Sequence, residues 1–274
     1  MADIVLSAGV RSNLLQLQST SALITNTQSK LATGKRVNSA LDNPINFFTA
    51  QGLSNRANDL TNLLDSMSSG VSTIQAASNG ISSITKLMQS AQALASQAQQ
   101  TSDTAVRAGL ATQFAEIKTQ IDQLAGDSGF NGINLLNSSS SANLTVTLNE
   151  TGSSSVTITA VDFTSGGGLG INNAANSWAD TAAITAASTD LTAALTTLRS
   201  QAQTFGSQLS TVQIRQDFTK AMINTLQTGA DALTLADSNE EGANLLALQT
   251  RQQLSTTALS LASQASQAVL RLFQ

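Results

Sequence analysis

LTAALTTLRSQAQTFGSQLSTVQIRQDFTKAMINTLQTGADAL, residues 191–233, decides the architecture. Its apolar residues recur in alternating steps of four and three: Leu191, Leu195, Leu198, Ala202, Phe205, Leu209, Val212, Ile223, Leu226, Ala230 and Leu233, with only Gln216 and Thr219 interrupting the seam. A stripe that keeps a seven-residue repeat for this long, with neither Pro nor Gly on it, predicts a rod-like helix in a coiled coil, roughly 60 Å long at the helical rise. Such a helix needs partners of similar length, and the rest of the chain must supply them.

The first partner lies upstream. Leu53, Leu60, Met67, Ile74, Ile81, Met88 and Ala95 recur every seven residues, flanked by Ala57, Leu64 and Val71. Gly70 and Gly80 sit inside this second rod, each weakening a helix by about 1 kcal/mol relative to Ala, so close packing is expected at both. Thr101, Ser102 and Asp103 form a capped turn, and Leu110, Phe114, Ile117, Ile121 and Leu124 form a shorter reversed helix. The expected rod core is Leu60, Met67, Ile74, Ile81, Met88, Phe114, Ile117, Ile121, Leu195, Phe205, Leu209, Ile223 and Leu226.

The two ends carry softer patterns. Val10, Leu17, Ile24 and Leu31 share one heptad position, while Leu14, Ser21 and Gln28 share the other, so half of that seam is polar. A helix of this kind is marginal alone and is ordered by a partner. At the other end, Asp237 and Glu240 are spaced like a capping box. Beyond them run two seams, one of Leu245, Leu248, Leu259, Ala262 and Val269 and the other of Leu254, Ala258, Leu261, Ala265, Ala268 and Leu272. A helix apolar on two sides needs several neighbours. Between the first end and the second rod, residues 31–53 read as a joint, with Gly34 and the pair Asn43 and Pro44 breaking the period.

At Gly126 the helical pattern stops. The GDSGFNG segment is dense in turn residues, and from Asn143 the period becomes two: Leu144, Val146 and Leu148, a turn at Thr151 to Ser155, then Val156, Ile158 and Ala160. This predicts a β-hairpin. Its Thr and Asn face, and Phe163 after it, are expected to point outward. Gly166 to Gly170 reads as a loop, and residues 172–187 show no clear period.

Composition limits the chemistry. Charged residues make up 11% of the 274 positions and aromatics 3%, against a usual charged share of about a quarter. The surface is therefore amide and hydroxyl, which limits like-charge repulsion between copies in a homopolymer. The net charge is −4, with 13 basic residues scattered along the chain and only Lys35 and Arg36 adjacent, so no cationic stripe follows a nucleic-acid backbone. No apolar run is long enough to span a bilayer, and Met1 to Gly9 lacks the basic start of a cleaved secretory signal. With no Cys and no His, disulfides, thiolate chemistry and the commonest catalytic base and metal ligand are absent.

The motifs that hint at ligands fail on inspection. Gly34 and Lys35 look like the tail of a P-loop, but Ser29 stands where its first glycine belongs and Arg36 where the magnesium-holding hydroxyl belongs. Gly166 to Gly170 lacks the last glycine of a dinucleotide fingerprint, which is Ile171 here. DSNEEG, residues 237–242, opens like a calcium loop but has Leu248 at its twelfth position, where Glu is required. Asn137, Asn143 and Asn149 lie in sequons, which are common by chance in so Ser- and Thr-rich a chain. No carboxylate pair is placed for acid–base work. No catalytic residue, cofactor or metal is expected.

Four stretches in order resemble the bacterial flagellin family: LATGKRVNSALD at 31–42, FNGINLL at 130–136, LADSNEEGANLLALQ at 235–249 and SQAVLRLF at 266–273. The resemblance implies a mainly α protein, a long-helix coiled-coil rod with terminal helices forming an inner layer, plus one small β-hairpin. It implies an inner domain of residues 1–42 and 237–274, a rod domain of 43–236 with the hairpin near 143–162, and no large outer domains. By resemblance the partners are other copies of the chain in a helical filament, the flagellar cap, junction proteins, an export chaperone and the type III export apparatus. The implied location is the extracellular flagellum, reached without a cleaved signal peptide. The assembling residues of the inner helices would be Val10, Leu14, Leu17, Ile24, Leu31, Leu245, Leu248, Leu254, Leu259, Leu261, Val269 and Leu272. The nearest alternative is a hook-associated junction protein; a signalling coiled coil is disfavoured by the hairpin. Asn43 and Pro44 replace small residues usual in the family, and Ser266 stands where Pro is common. Ser90 and Ala93 replace the Arg and Glu that innate immune receptors recognise in some relatives.

Overall fold

The computed structural model describes residues 8–139 and 142–272. Among them are five long helices, α1 (Ala8–Thr33), α2 (Pro44–Gln100), α3 (Thr104–Asp127), α4 (Thr181–Thr234) and α5 (Ser238–Leu272). A two-stranded antiparallel sheet, β1 (Leu144–Thr147) with β2 (Ser155–Ile158), and a 3₁₀ turn at Ala175–Trp178 lie between α3 and α4. Contacts divide the chain into a terminal unit, Met1–Asn55 with Thr225–Gln274, and a central unit, Arg56–Asn224. The terminal unit takes in residues 43–55 and 225–236, which the sequence reading assigns to the rod domain.

In the central unit, α2, α3 and α4 share one continuous apolar cluster with the hairpin. Met67, Ile74, Ile81, Met88, Phe114, Ile121 and Phe205 are fully buried or nearly so, Leu60, Leu195 and Ile223 are buried, and Ile117 and Leu209 are partly covered. Ala202 is exposed although it falls on the α4 seam. Two of the three glycines of α2, Gly70 and Gly80, let other segments reach the helix backbone. A Cβ on Gly70 would lie 2.6 Å from a methyl of Val146 in β1, and one on Gly80 would lie 2.2 Å from the Ser128 hydroxyl and 2.6 Å from Leu136. Those distances are far inside van der Waals contact, so no other residue fits without displacing the hairpin or the turn after α3.

That turn is set by its own sequence. Asn131 and Gly132 take positive φ (49° and 80°), and Phe130 and Ile133 exchange backbone hydrogen bonds around them. The Asn134 amide then donates to the Ala125 and Gly126 carbonyls at 2.7 and 2.8 Å, satisfying the end of α3. Leu135 and Leu136 follow into the core. In the hairpin, Leu144 pairs with Ile158 and Val146 with Val156, and Leu144, Val146, Leu148, Ile158 and Ala160 are buried.

Phe163 corrects the outward expectation: it is only 3% exposed. The chain leaving β2 hydrogen-bonds to the segment after α3, with Val161 N–H to the Leu135 carbonyl and Phe163 N–H to Leu136. That pairing carries the ring inward, where period-two counting from β2 cannot place it. Residues 172–187 also hold more structure than their lack of period suggests. Three successive left-handed residues, Asn176, Ser177 and Trp178 (φ 47°, 51° and 58°), tuck the indole of Trp178 against Phe114 at 4.9 Å between centroids. Such conformations cost of order 1 kcal/mol or more each and are held by the burial of the indole, which is 0% exposed.

In the terminal unit, Asn43 and Pro44 start a helix. The Asn43 side chain accepts from the Asn46 N–H at 3.0 Å, and Pro44 occupies the first helical position, where its missing N–H and fixed φ are harmless. The break in sequence period is therefore a helix cap, and α2 begins nine residues before Leu53. The joint narrows to Gly34 through Asn43.

Candidate assembly surface

The terminal unit is built around α1 and α5, which pack on each other. The face that α1 turns inward is Val10, Asn13, Leu17, Thr20, Ile24, Thr27 and Leu31, all buried or partly covered. On α5 the covered positions are Leu245, Leu248, Gln252, Ser255, Leu259 and Ala262. Both sets advance by threes and fours, as a two-helix seam requires. Thr20 survives burial because its hydroxyl donates to the Gln16 carbonyl at 2.9 Å.

This seam corrects the sequence reading of α1. Leu14 is 39% exposed, and Ser21 and Gln28 are also outside; Asn13, Thr20 and Thr27 take the second heptad position. The error has a physical origin: the choice between i+3 and i+4 followed the bulkier Leu14, whereas the helix turns smaller polar side chains towards its partner. Large apolar groups are left outside on both helices. Leu15 is 66% exposed, and Leu246, Leu254 and Leu261 are 67%, 67% and 62% exposed. Leu23 is also exposed, as are Ala258, Ala265 and Ala268. The second seam of α5 thus stays open along its described length; the side chains of Val269 and Leu272 lie outside the described residues.

Two polar devices fix the pair. The Lys30 ammonium and Glu241 carboxylate meet at 3.0 Å, and Asp237 caps α5 by accepting from the N–H groups of Asn239 and Glu240 at 2.8 and 3.3 Å. The joint after α1 is sewn to the end of α4. Arg36 and Val37 N–H donate to the Thr234 carbonyl, the Ala236 N–H donates to that of Gly34, and the Arg36 guanidinium reaches the Ala232 and Leu233 carbonyls. A cation at that negative helix end is electrostatically favoured. Asp42 closes the joint: the N–H groups of Ser39 and Asn38 hydrogen-bond its carboxylate and hold it below the usual pKa. Leu226 and Ala230 of α4 are buried in this unit, with Leu53 packed close to Gly229.

Residue-pattern reasoning missed two structural cations in the central unit. The guanidinium of Arg107 is buried and donates to the carbonyls of Ala98, Thr101 and Ala179 and to the Thr181 hydroxyl, joining the end of α2 to the start of α4. Lys118 is buried against Asn173 at 2.7 Å; burial lowers its pKa while Asp122 and Asp190 pull the other way. A basic residue on the inward phase of α3 is the signal that could have found both. Among the described residues no group of three or more potential ligands could hold a metal, and no helix is long and apolar enough to cross a membrane.

A packed helical body joined to a helix pair with Leu15, Leu23, Leu246, Leu254 and Leu261 left outside has the surface of a structural, self-associating subunit. The comparisons agree. The model of the bacterial flagellin N-terminal helical region matches residues 9–141, and that of the C-terminal helical region matches residues 188–273. Flagellin FljN of Caulobacter vibrioides is 34% identical and flagellin FljM of the same organism 32%, each over 98% of this chain and 97% of the relative. A flagellin of Brucella melitensis is 28% identical over the full length of both. The crystal structure of Bacillus cereus flagellin covers 55% of this chain and 86% of its own at 23% identity and a TM-score of 0.49, a likeness too slight to add to the assignment. The chain belongs to the bacterial flagellin family, the structural subunits that assemble into the flagellar filament used for motility.

Proposed function

We propose that this flagellin polymerises through the outward faces of α1 and α5. The observation that carries the reading is the pair's second apolar face: its seam takes Asn13, Thr20, Thr27, Gln252 and Ser255 in among its Leu, Ile and Val, while Leu15, Leu246, Leu254 and Leu261 face out. Neighbouring copies supply the missing apolar cover, and the nearly uncharged surface lets identical helices approach. Within the filament, residues 1–42 and 237–274 form the inner layer and residues 43–236 the surrounding rod layer. Leu14, absent from the intramolecular seam, joins the outward set. Contacts that repeat head to tail without closing give an open helix.

The role is structural, without catalysis or cofactor. Export proceeds unfolded through the type III apparatus without a cleaved signal, with a chaperone, cap and junction proteins as transient partners, and the filament stands outside the cell. Seeded elongation tests the central reading. Replacing Leu254 and Leu261 by Ser should leave the monomer's melting within about 0.5 kcal/mol of the parent, because both are exposed, yet abolish growth from seeds in electron micrographs. Normal filaments from that variant would refute it.

A further inference from the structure

The dipeptide Asn–Gly occurs twice in the chain, at Asn79 with Gly80 and at Asn131 with Gly132. It is the pair in which a backbone nitrogen most easily reaches the carboxamide before it, because glycine has no side chain to obstruct the approach. The two copies stand in opposite settings. Asn79 and Gly80 lie inside α2, where the Gly80 N–H is committed to the helical ladder and Gly80 is packed against Ser128 and Leu136. Asn131 and Gly132 form the exposed tip of the turn after α3, and the Gly132 N–H donates to no described residue.

The turn is also far easier to open than the helix. It is closed by the Phe130 N–H on the Ile133 carbonyl at 2.9 Å and the Ile133 N–H on that of Phe130 at 3.0 Å. Asn131 sits at φ 49°, a left-handed conformation that is strained in a residue with a side chain and is relieved when the turn lets go. No atom lies within 4 Å of where a Cβ on Gly132 would be, so its nitrogen has room to swing.

We propose that Asn131 is a site of self-modification, converting to aspartate and isoaspartate while Asn79 stays intact. When the turn opens, the Gly132 nitrogen attacks Cγ of Asn131 and closes a five-membered imide. The carboxamide nitrogen leaves as ammonia, taking up the Gly132 proton. Water then opens the imide at either carbonyl, giving aspartate or an isoaspartate whose backbone runs through the side-chain carbon. The sum is one water consumed and one ammonia released, with no other reactant. Either product adds a negative charge to a depression that already holds Asp59 and Glu150. Isoaspartate also lengthens the turn by one backbone atom, which breaks the pairing of Phe130 with Ile133. Asparagine is not regenerated, so the fraction converted records the age of a copy. The reaction does not depend on polymerisation.

Incubating the full-length monomer in mildly alkaline buffer, folded and in urea, tests it. Peptide mapping by mass spectrometry reads each conversion as a gain of one dalton, and isoaspartyl methyltransferase labelling reads the isoaspartate. In the folded chain Asn131 should convert at least about tenfold faster than Asn79, because the interior of a packed helix opens far more rarely than an exposed turn. In urea the two rates should fall within about twofold of each other, since the helix no longer shields one of them. Raising the pH should speed conversion, as the attacking species is the deprotonated Gly132 amide. Asn131→Gln, whose imide would need a six-membered ring, should remove most of the isoaspartate label. Folded-state conversion at Asn131 no faster than at Asn79, over a period in which both convert in urea, would overturn the site, and so would a label undiminished in Asn131→Gln.

Discussion

The central and terminal units use the same repeat to opposite ends. In the central unit the heptad positions of α2 and α4 are filled with Leu, Ile, Met and Phe that reach zero or near-zero exposure, and glycines admit the hairpin against the helix. In the terminal unit the seam alternates apolar with polar residues, and Leu15, Leu246, Leu254 and Leu261 are left outside. Equal periodicity therefore does not mean equal self-sufficiency. What separates a finished core from an unfinished one is the identity of the residue at alternate seam positions, and which face receives the bulk.

The comparison breaks most visibly at Phe114. Replacing it by Ala should destabilise the central unit by about 4 kcal/mol, since the ring is fully buried and backed by Trp178; thermal unfolding followed by tryptophan fluorescence measures the loss. Next in size is a pair of glycines on one helix. Gly80→Ala should cost about 2 kcal/mol, because overpacking against Ser128 and Leu136 outweighs the gain in helix propensity. Gly52→Ala, whose Cβ would meet nothing within 4 Å, should instead stabilise by about 0.5 to 1 kcal/mol. Denaturant unfolding of both variants gives the sign directly, and a matching loss at Gly52 would erase the distinction between the units.

A smaller effect belongs to the joint. Asn43→Ala should weaken the start of α2 by about 1 kcal/mol, seen as faster hydrogen exchange of the Asn46 and Phe47 amides. The smallest is a pH effect at Asp42. Its folded pKa is depressed, so its contribution is present above the ordinary carboxylate range and is lost as pH falls through the folded value. Acid should therefore loosen the Ser39 amide in the parent, and Asp42→Asn should remove that dependence. An NMR titration in which parent and variant track each other would dismiss the carboxylate as the joint's clasp.

Much of this could be read from the chain. The seam from Leu191 to Leu233, the seven-fold recurrence from Leu60 to Met88 and the period-two run from Leu144 each correspond to one element, because a long repeat averages over local exceptions. What escaped was decided by contacts distant in sequence. Phe163 turns inward because its backbone pairs with the Leu135 and Leu136 segment, Arg107 is buried because carbonyls at the end of α2 and just before α4 converge on it, and Trp178 sits on a left-handed turn that no periodicity announces. On α1 the misassigned register came from weighing size above spacing. Leu14 lost to Asn13 by a single residue, the smallest error a heptad allows and one that turns the face by about 100°.

The hydroxyl groups of α4 change what its surface is. Thr185, Thr189, Thr192, Thr196 and Thr197 each donate to the carbonyl four residues before, at 2.8 to 3.1 Å. A hydroxyl engaged in this way has no proton left to donate to water and keeps only its acceptor lone pairs, beside an exposed methyl. The shallow depression lined by Thr185, Ser188, Thr189, Thr192, Ala193 and Thr196 is accordingly more hydrocarbon than its residue names suggest. Water bound to such a face is held weakly and is readily released. Salts excluded from protein surfaces, sulfate above all, should therefore bring these helices together at concentrations that leave an ionic surface dispersed.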